Sequence, residues 1–285
     1  MSLYNAVIKA IFTNKFLSMQ FIFGYLASAL IGISLGLIGG GGSILTVPVM
    51  VYLFSVSPLL ATSYSLFVVG STSLVGAYNS YRRGLVRIKT GLLFGISSIA
   101  TVVLTRKFFI PAIPKKIATI GSFVITEDIM TMVLFAILMV VASLSMMRNG
   151  NKKEITDVIP DKKINIPKLL VYGIGIGFIT GLLGAGGGFL LIPTLVLLVG
   201  LPMKEAVGTS LFIIALNSLI GFTGDLGHFE MDWKLLTIVT IIAIGGIFVG
   251  GWLSKKIHGD KLKKGFGWFV LVMGIYIIVK ELWLH

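Results

Sequence analysis

The chain has 285 residues, of which 56% are hydrophobic and 12% are charged, with a mean hydropathy of +0.99 and a net charge of +13. Soluble domains carry about 25% charged residues, and one domain of this length cannot hide so much apolar surface, so the expected solvent is a lipid bilayer. The absence of cysteine excludes disulfides, Cys-ligated zinc, iron–sulfur clusters and thiol catalysis.

Ten apolar segments follow one another, and their continuous runs indicate membrane-spanning helices rather than the alternating strands of a barrel. They lie at 17–38, 43–55, 59–79, 88–107, 123–147, 168–184, 188–200, 205–223, 233–253 and 264–284. Eight of them are long enough to span, since a spanning helix needs roughly 17 to 25 residues. The short segments 43–55 and 188–200 each follow a glycine cluster and contain a proline, Pro48 or Pro193, which predicts broken, tilted or re-entrant helices.

The charged residues are expected between these segments or at their ends, and none inside a strongly apolar run. Basic loops beside apolar segments are typical of the cytoplasmic side of a membrane protein. We therefore assign the positive charge to loops, predict no nucleic-acid partner, and expect no buried cation. The sequence predicts an all-α polytopic protein of the cell membrane, surrounded by the lipid bilayer.

An internal repeat organises the chain. Gly36–Pro48 aligns with Gly181–Pro193, and Ala61–Gly76 aligns with Ala206–Gly221 at the same offset, with about half of the positions identical. A duplication explains this shared register better than the chance similarity of glycine-rich apolar helices. We therefore predict two homologous helical repeats.

The repeats are assigned to residues 1–147 and 168–285, and the charged stretch 148–167 is predicted to be a cytoplasmic linker. If every segment crosses the bilayer, each repeat has five crossings and the repeats are inverted. If the two short segments do not cross, each repeat has four crossings and the repeats are parallel. The first arrangement separates basic loops from the others better, and the basic loop 81–89 and its acidic counterpart 225–234 also suit opposite sides, so we favour it.

Two glycine clusters, Gly39–Ser43 and Gly184–Gly188, interrupt the apolar segments at matching places in the repeats. Each Gly lowers helix propensity by roughly 1 kcal/mol relative to Ala, so such a run should break a helix. Broken backbone is tolerated at membrane depth where it is buried in protein or lines a cavity. The half-helix that follows each break presents free N–H groups and a positive dipole end, which attract anions. The clusters therefore predict a nest of backbone donors for a small oxyanion, such as a sulfo group.

The predicted substrate-binding residues combine both clusters with polar residues of the third segment in each repeat. They are Gly39, Gly40, Gly41, Gly42, Ser43, Ser63, Ser65, Gly184, Ala185, Gly186, Gly187, Gly188, Thr209, Ser210 and Asn217. The predicted helix-break or hinge residues are Gly36, Pro48, Gly181 and Pro193.

Each of these assignments has a simpler alternative. The clusters can serve close packing, the hydroxyls can bond to their own helix, and Asn217 can join two helices. Close packing is the favoured interpretation for three other pairs of small residues, which are Gly32/Gly36, Gly177/Gly181 and Gly246/Gly250.

No catalytic group, metal site or cofactor is predicted. His228 lies near Asp225 and Glu230 in an acidic loop, but the spacing matches no strong metal pattern. No nucleophile–base arrangement is visible, and the glycine clusters lack the spacing of nucleotide-binding loops. We therefore expect the protein not to be an enzyme.

The doubled motif resembles the TauE/SafE family of sulfite exporters, also called the toluene-sulfonate uptake permease family. The resemblance rests on residues 36–48, their repeat at 181–193, the Ala-Val-Gly-Thr-Ser-Leu run at 206–211 and the loop 229–234, and it covers about 20–284. It implies a transporter of sulfur-containing organic or inorganic anions, such as sulfite, sulfoacetate or other sulfonates, and it implies no enzyme activity.

The sequence thus predicts a secondary carrier that holds a small anion at paired glycine breaks. A non-transporting accessory subunit and an anion channel are the alternatives, and no feature indicates an oligomeric state. Proton-coupled carriers usually keep an acid or a histidine in the membrane pathway, and none is firmly embedded here. Uniport is therefore expected, with proton coupling through Asp225 or His228 as the rival hypothesis.

Overall fold

The computed structural model describes residues 2–120, 123–148, 166–254 and 259–283. Within these residues each of the ten predicted segments forms a helix, which confirms an all-α polytopic membrane protein. The helices are α1 (Ser2–Ile38), α2 (Thr46–Leu53), α3 (Pro58–Arg82), α4 (Ile88–Leu104), α5 (Glu127–Arg148), α6 (Ile166–Leu183), α7 (Gly188–Thr194), α8 (Met203–Thr223), α9 (Trp233–Leu253) and α10 (Gly259–Trp283). In the part of the chain that the structure describes, short irregular helical turns adjoin them, a 3₁₀ turn before α2 (Gly41–Leu45) and π turns after α4 (Thr105–Phe109) and α7 (Leu195–Val199).

Among the described residues, seven helices are long and apolar enough to cross a bilayer. These are the part of α1 from Met19 onward, and α3, α4, α5, α8, α9 and the part of α10 from Gly265. Two apolar helical stretches in the described ranges have 10–17 residues, Gly41–Leu53, which joins the 3₁₀ turn to α2, and Pro167–Leu183 in α6. Most of the predicted linker 148–167 lies outside the described residues, as do His258 and His285.

Several helix ends follow from their residues. Pro58 opens α3, where its missing N–H costs nothing and its fixed φ suits the first turn. Asp232 caps α9 because its Oδ1 accepts a hydrogen bond from the Leu235 N–H at 3.0 Å. Glu127 and Asp128 place negative charge at the positive end of the α5 dipole.

The helix expected from residue 123 begins four residues later, so this part of the prediction is wrong. Phe123–Thr126 instead forms strand β2, which pairs antiparallel with β1 (Lys116–Ile120), with Thr119 opposite Val124. Residues branched at Cβ are frequent in both strands, and these favour strand geometry over helix.

The four main helix pairs each join one helix of the first half to one of the second. Helix α1 packs on α9, α4 on α6, α3 on α8, and α5 on α10. Glycines make these contacts close, as predicted for the small-residue pairs. A Cβ on Gly32 or Gly36 would clash with the backbone of α9, and one on Gly177 would lie 2.5 Å from the Ser98 carbonyl oxygen of α4.

Helices α3 and α8, which occupy matching places in the two halves, run antiparallel. Phe67 packs against Phe222 in the last turn of α8, with the ring centroids 5.0 Å apart, while Gly76, farther along α3, packs against Leu211, which comes earlier in α8. Helices α5 and α10 also run antiparallel, since Gly267 lies beside residues 143–147 and Gly274 beside residues 136–140. These antiparallel directions suit the inverted arrangement that the sequence favours.

Candidate functional site

The chain leaves the helical conformation at both predicted glycine clusters. After α1 ends, Gly39 and Gly40 adopt φ angles of 73° and 147°. Between α6 and α7, Gly184, Gly186 and Gly187 adopt φ angles of 66°, 65° and 65°. Side-chain-bearing residues are strained at such angles, so glycine is needed for the chain to turn here.

The two breaks meet in the buried interior between the halves. A Cβ on Gly40 would lie 2.7 Å from the Cα of Gly188, so the two backbones are in contact. All residues of both clusters are buried, including Ser43 and Ala185. The two clusters therefore face each other in this structure.

Each break is held by a serine of the opposite half. The Ser65 hydroxyl donates to the Gly184 carbonyl oxygen at 2.7 Å, and the Ser210 hydroxyl donates to the Gly39 carbonyl oxygen at 2.8 Å. Ser65 matches Ser210 in the repeat alignment, and Gly184 matches Gly39. The two bonds are thus one interaction made twice, and neither serine is confined to bonding within its own helix.

A second pair of bonds repeats this symmetry. The Arg87 N–H donates to the Thr209 hydroxyl at 3.0 Å, and the Asp232 N–H donates to the Tyr64 hydroxyl at 2.5 Å. Thr209 and Tyr64 are matching residues, and each fixes the loop that precedes the fourth segment of the other half.

The predicted hinge residues lie beside the breaks rather than in them. Gly36 and Gly181 lie inside α1 and α6, two residues before each helix ends, and they pack on α9 and on Thr105. Pro48 lies in the first turn of α2, and Pro193 lies within α7.

Several buried hydroxyl groups near the breaks have no hydrogen-bond partner among the described residues. Thr180 Oγ1 lies next to Gly187, and Ser218 Oγ lies close to Gly186. Asn217 donates to the Ser98 hydroxyl at 2.6 Å and so joins α8 to α4, but its Oδ1 is also unpartnered. Buried polar groups are normally satisfied, so these groups indicate a place for polar ligand atoms or water.

The expectation of no buried cation is wrong. Arg106, in the π turn after α4, has a fully buried side chain, and its Nη1 lies 3.0 Å from Asp225 Oδ2. Ser63 donates to the same Asp225 oxygen at 2.6 Å. The sequence placed Arg106 inside the segment 88–107 but gave no sign of its partner, since Asp225 follows α8 in the other half.

A second ion pair lies at the opposite end of α8. Arg87 donates to both carboxylate oxygens of Glu205 at 2.6 and 2.9 Å, and its side chain is 59% exposed. Hydrogen bonding and the charge of Glu205 raise the pKa of Arg87. Burial raises the pKa of Asp225, while the charges of Arg106 and His228 and the Ser63 hydroxyl act in the opposite direction. Within the described residues, no three His, Asp or Glu side chains are grouped to hold a metal ion.

Comparison with known proteins identifies the family. A family model described as "Sulfite exporter TauE/SafE" matches residues 24–277. The chain belongs to the TauE/SafE family. No solved structure matches this TauE/SafE chain.

Curated relatives of this TauE/SafE chain carry names of the same kind. A "Probable membrane transporter protein" of Xylella fastidiosa (strain 9a5c) is 26% identical over 264 residues, covering 88% of this chain and 92% of the relative. The "Probable membrane transporter protein YunE" of Bacillus subtilis (strain 168) is 29% identical over 282 residues, covering 92% and 96%. This TauE/SafE chain is therefore a multi-pass membrane transporter of the cell membrane, with a small-molecule substrate.

Proposed function

We propose that the protein is a secondary carrier for small sulfur-containing oxyanions, such as sulfite, sulfoacetate or other sulfonates. The substrate is held by backbone N–H groups of the two glycine breaks. The observation that carries this proposal is the buried meeting of the breaks, each held by a serine of the other half. The family description names sulfite export, which supports a sulfur oxyanion. The proposal includes no catalytic step.

The backbone at the breaks suits an anion. Successive N–H groups of residues in left-handed and helical conformations converge and bind negatively charged oxygens. At the second break, Gly186 and Gly187 are both left-handed, and we assign their backbone N–H groups to the anion. Several neutral donors can divide the charge of a sulfo group among them.

The hydroxyl groups fall into two roles under this proposal. Ser65 and Ser210 use their hydrogen atoms to hold the break carbonyls, so they position the site rather than donate to the substrate. Thr180 and Ser218 have unpartnered oxygens beside the second break, and their hydroxyls are available to complete the anion's hydrogen bonds.

The arrangement also supports transport rather than scaffolding. The two breaks belong to different halves, so rocking of one half against the other would open the site first to one side and then to the other. A scaffold protein needs neither a helix that is broken within the membrane nor two such breaks in contact.

The test is binding of small anions to the purified full-length chain by calorimetry. The panel contains sulfite, sulfate, thiosulfate, sulfoacetate, taurine, acetate and phosphate. Gly186→Ala is compared with Gly200→Ala, because both glycines have positive φ but no atom lies within 4 Å of a Cβ on Gly200. We expect selective binding of a sulfur oxyanion that is lost in Gly186→Ala and kept in Gly200→Ala.

Other outcomes point to the alternatives. No binding of any anion by the folded wild-type protein would favour a non-transporting accessory subunit. Sustained anion currents in planar bilayers, without saturation, would favour a channel over a carrier.

A further inference from the structure

Arg106 is the buried cation among the described residues, and its contacts use only part of its hydrogen-bonding capacity. Its side chain is 0% exposed, and that of Asp225 is 2% exposed. One nitrogen, Nη1, serves both of its partners, Asp225 Oδ2 at 3.0 Å and Ser63 Oγ at 3.3 Å. The ion pair therefore uses only the Nη1 nitrogen of the guanidinium group.

The other donors of this guanidinium are unused. Nε and Nη2 are buried and have no hydrogen-bond partner among the described residues. These two nitrogens lie along one edge of the planar group, and their N–H bonds point the same way. That edge matches two oxygens of a carboxylate, phosphate or sulfo group, which Arg binds in a bidentate manner. Unpaired donors of a buried charge are costly, so this edge favours an oxyanion ligand.

The position of Arg106 connects it to the glycine breaks. Thr105, its chain neighbour, packs on Gly181, just before the second break. Ser63, its hydrogen-bond partner, adjoins Thr62, whose backbone contacts Gly184, and lies two residues from Ser65, which bonds to that glycine. The guanidinium group thus stands beside the second break, on the flank formed by α3 and α4.

A purely structural role explains this arrangement poorly. A buried ion pair repays its desolvation only when the remaining donors and lone pairs are satisfied, and here the Nε and Nη2 donors of Arg106 are not. A buried ion pair is by itself weak evidence for a stabilising role, so the unpaired donors indicate a place for a ligand.

We propose that Arg106 binds two oxygens of the transported oxyanion through Nε and Nη2, next to the second glycine break. This inference rests on the proposed function. It adds to a site of backbone N–H groups a charged side chain that binds two oxygens in a fixed geometry. Asp225 and Ser63 are positioning residues, because they hold Nη1 and thereby fix the plane of the guanidinium group.

The substitution that tests geometry is Arg106→Lys, which keeps the charge and removes the bidentate edge. The dissociation constants of sulfite and sulfoacetate are measured by calorimetry on the full-length protein. Arg87→Lys is the matched control, since it makes the same change in the exposed ion pair at the other end of α8. We expect Arg106→Lys to weaken binding about ten- to a hundredfold, the loss of one or two charge-assisted hydrogen bonds, and Arg87→Lys to leave it unchanged.

Asp225→Asn provides a second, opposite readout. Asn has nearly the same shape as Asp, and its side-chain oxygen can still accept a hydrogen bond from Nη1. It carries no negative charge, so it neither neutralises Arg106 nor repels an anionic substrate. We expect about tenfold tighter anion binding in this variant. A merely structural pair would give unchanged or weaker binding, and that result would overturn the proposal, as would wild-type affinity in a folded Arg106→Lys protein.

The outcomes separate this inference from the proposed function. If the wild-type protein binds no anion, both fail. If binding is lost in Gly186→Ala but is unchanged in Arg106→Lys and Asp225→Asn, the result supports an anion site at the glycine breaks and excludes Arg106 from that site.

Discussion

At the residue scale, Ser65 and Ser210 set the shape of the two breaks. Each is buried, and each donates its hydroxyl to a glycine carbonyl that a regular helix would have satisfied. A carbonyl left unpaired in this interior costs about 1–3 kcal/mol. The serines thus allow the helices to stop inside the membrane.

We therefore predict that Ser65→Ala and Ser210→Ala each lower the free energy of unfolding in detergent by about 1–3 kcal/mol. Each should also weaken anion binding, because the freed break no longer holds one conformation. Ser254→Ala is the control, since the hydroxyl of this exposed residue donates to a carbonyl of its own helix end. Equal stability of all three variants would show that the cross-half bonds do not hold the breaks.

A second prediction at the residue scale concerns the protonation of Asp225. Its pKa is raised by burial, and the groups that face it are Arg106, Ser63 and His228. As the pH falls toward this raised pKa, the carboxylate takes up a proton and no longer neutralises the positive charge of Arg106. Anion affinity should therefore rise as the pH falls and become constant once Asp225 is protonated. Proton binding then strengthens anion binding, and anion binding strengthens proton binding, which is a requirement for symport.

The measurement is sulfoacetate affinity between about pH 5.5 and pH 8, where the charge of this substrate stays constant. The dependence on pH should vanish in Asp225→Asn and persist in His228→Gln. A dependence that instead vanishes with His228 would move the proton site to the histidine. No dependence in the wild type would support the uniport expected from the sequence.

At the scale of elements, close helix packing depends on which face of a helix a glycine occupies. Gly246 of α9 lies against the backbone of Ala29 and Ile33, whereas Gly245, its neighbour, meets no atom within 4 Å. We predict that Gly246→Ala lowers the free energy of unfolding by about 1–3 kcal/mol through overpacking of α1 on α9. Gly245→Ala should be neutral or slightly stabilising. Thermal unfolding in detergent compares the two, and equal effects would contradict this packing.

The elements themselves were largely predictable. Hydropathy located all ten helices, and the glycine clusters located both breaks, because lipid demands long apolar runs and glycine is the residue that permits the turns. The start of α5 was missed because an average over the apolar run joins strand β2 to the helix, although Glu127 and Asp128 mark the first turn of α5. The Arg106–Asp225 pair was missed because a charge at the end of an apolar segment carries no signal of a partner in the other half.

At the scale of the whole molecule, the directions of the helices decide how the halves insert. Helix α8 carries one ion pair near each end, Arg87–Glu205 at its start and Arg106–Asp225 beyond its last turn. Its 21 residues span about 30 Å, the thickness of the bilayer core. The two pairs therefore lie toward opposite sides of the membrane.

This geometry predicts that Tyr81 and Met203 face one side and Leu226 the other. Because the chain has no cysteine, single substitutions Tyr81→Cys, Met203→Cys and Leu226→Cys give clean labelling sites, and all three residues are exposed. A membrane-impermeant maleimide applied to intact cells should label either Leu226→Cys alone or the other two together. Four crossings per repeat would instead group Tyr81→Cys with Leu226→Cys.

The reciprocal bonds from Ser65 to Gly184 and from Ser210 to Gly39 also bear on the origin of the molecule. In a two-fold symmetric dimer, residue i of one subunit meets residue j of the other, and j meets i. The present chain makes this pattern between its own halves. We propose that the two halves descend from a half-length protein that paired with its own inverted copy. Under this proposal, the loops after α3 and α8 diverged in charge once both halves belonged to one chain.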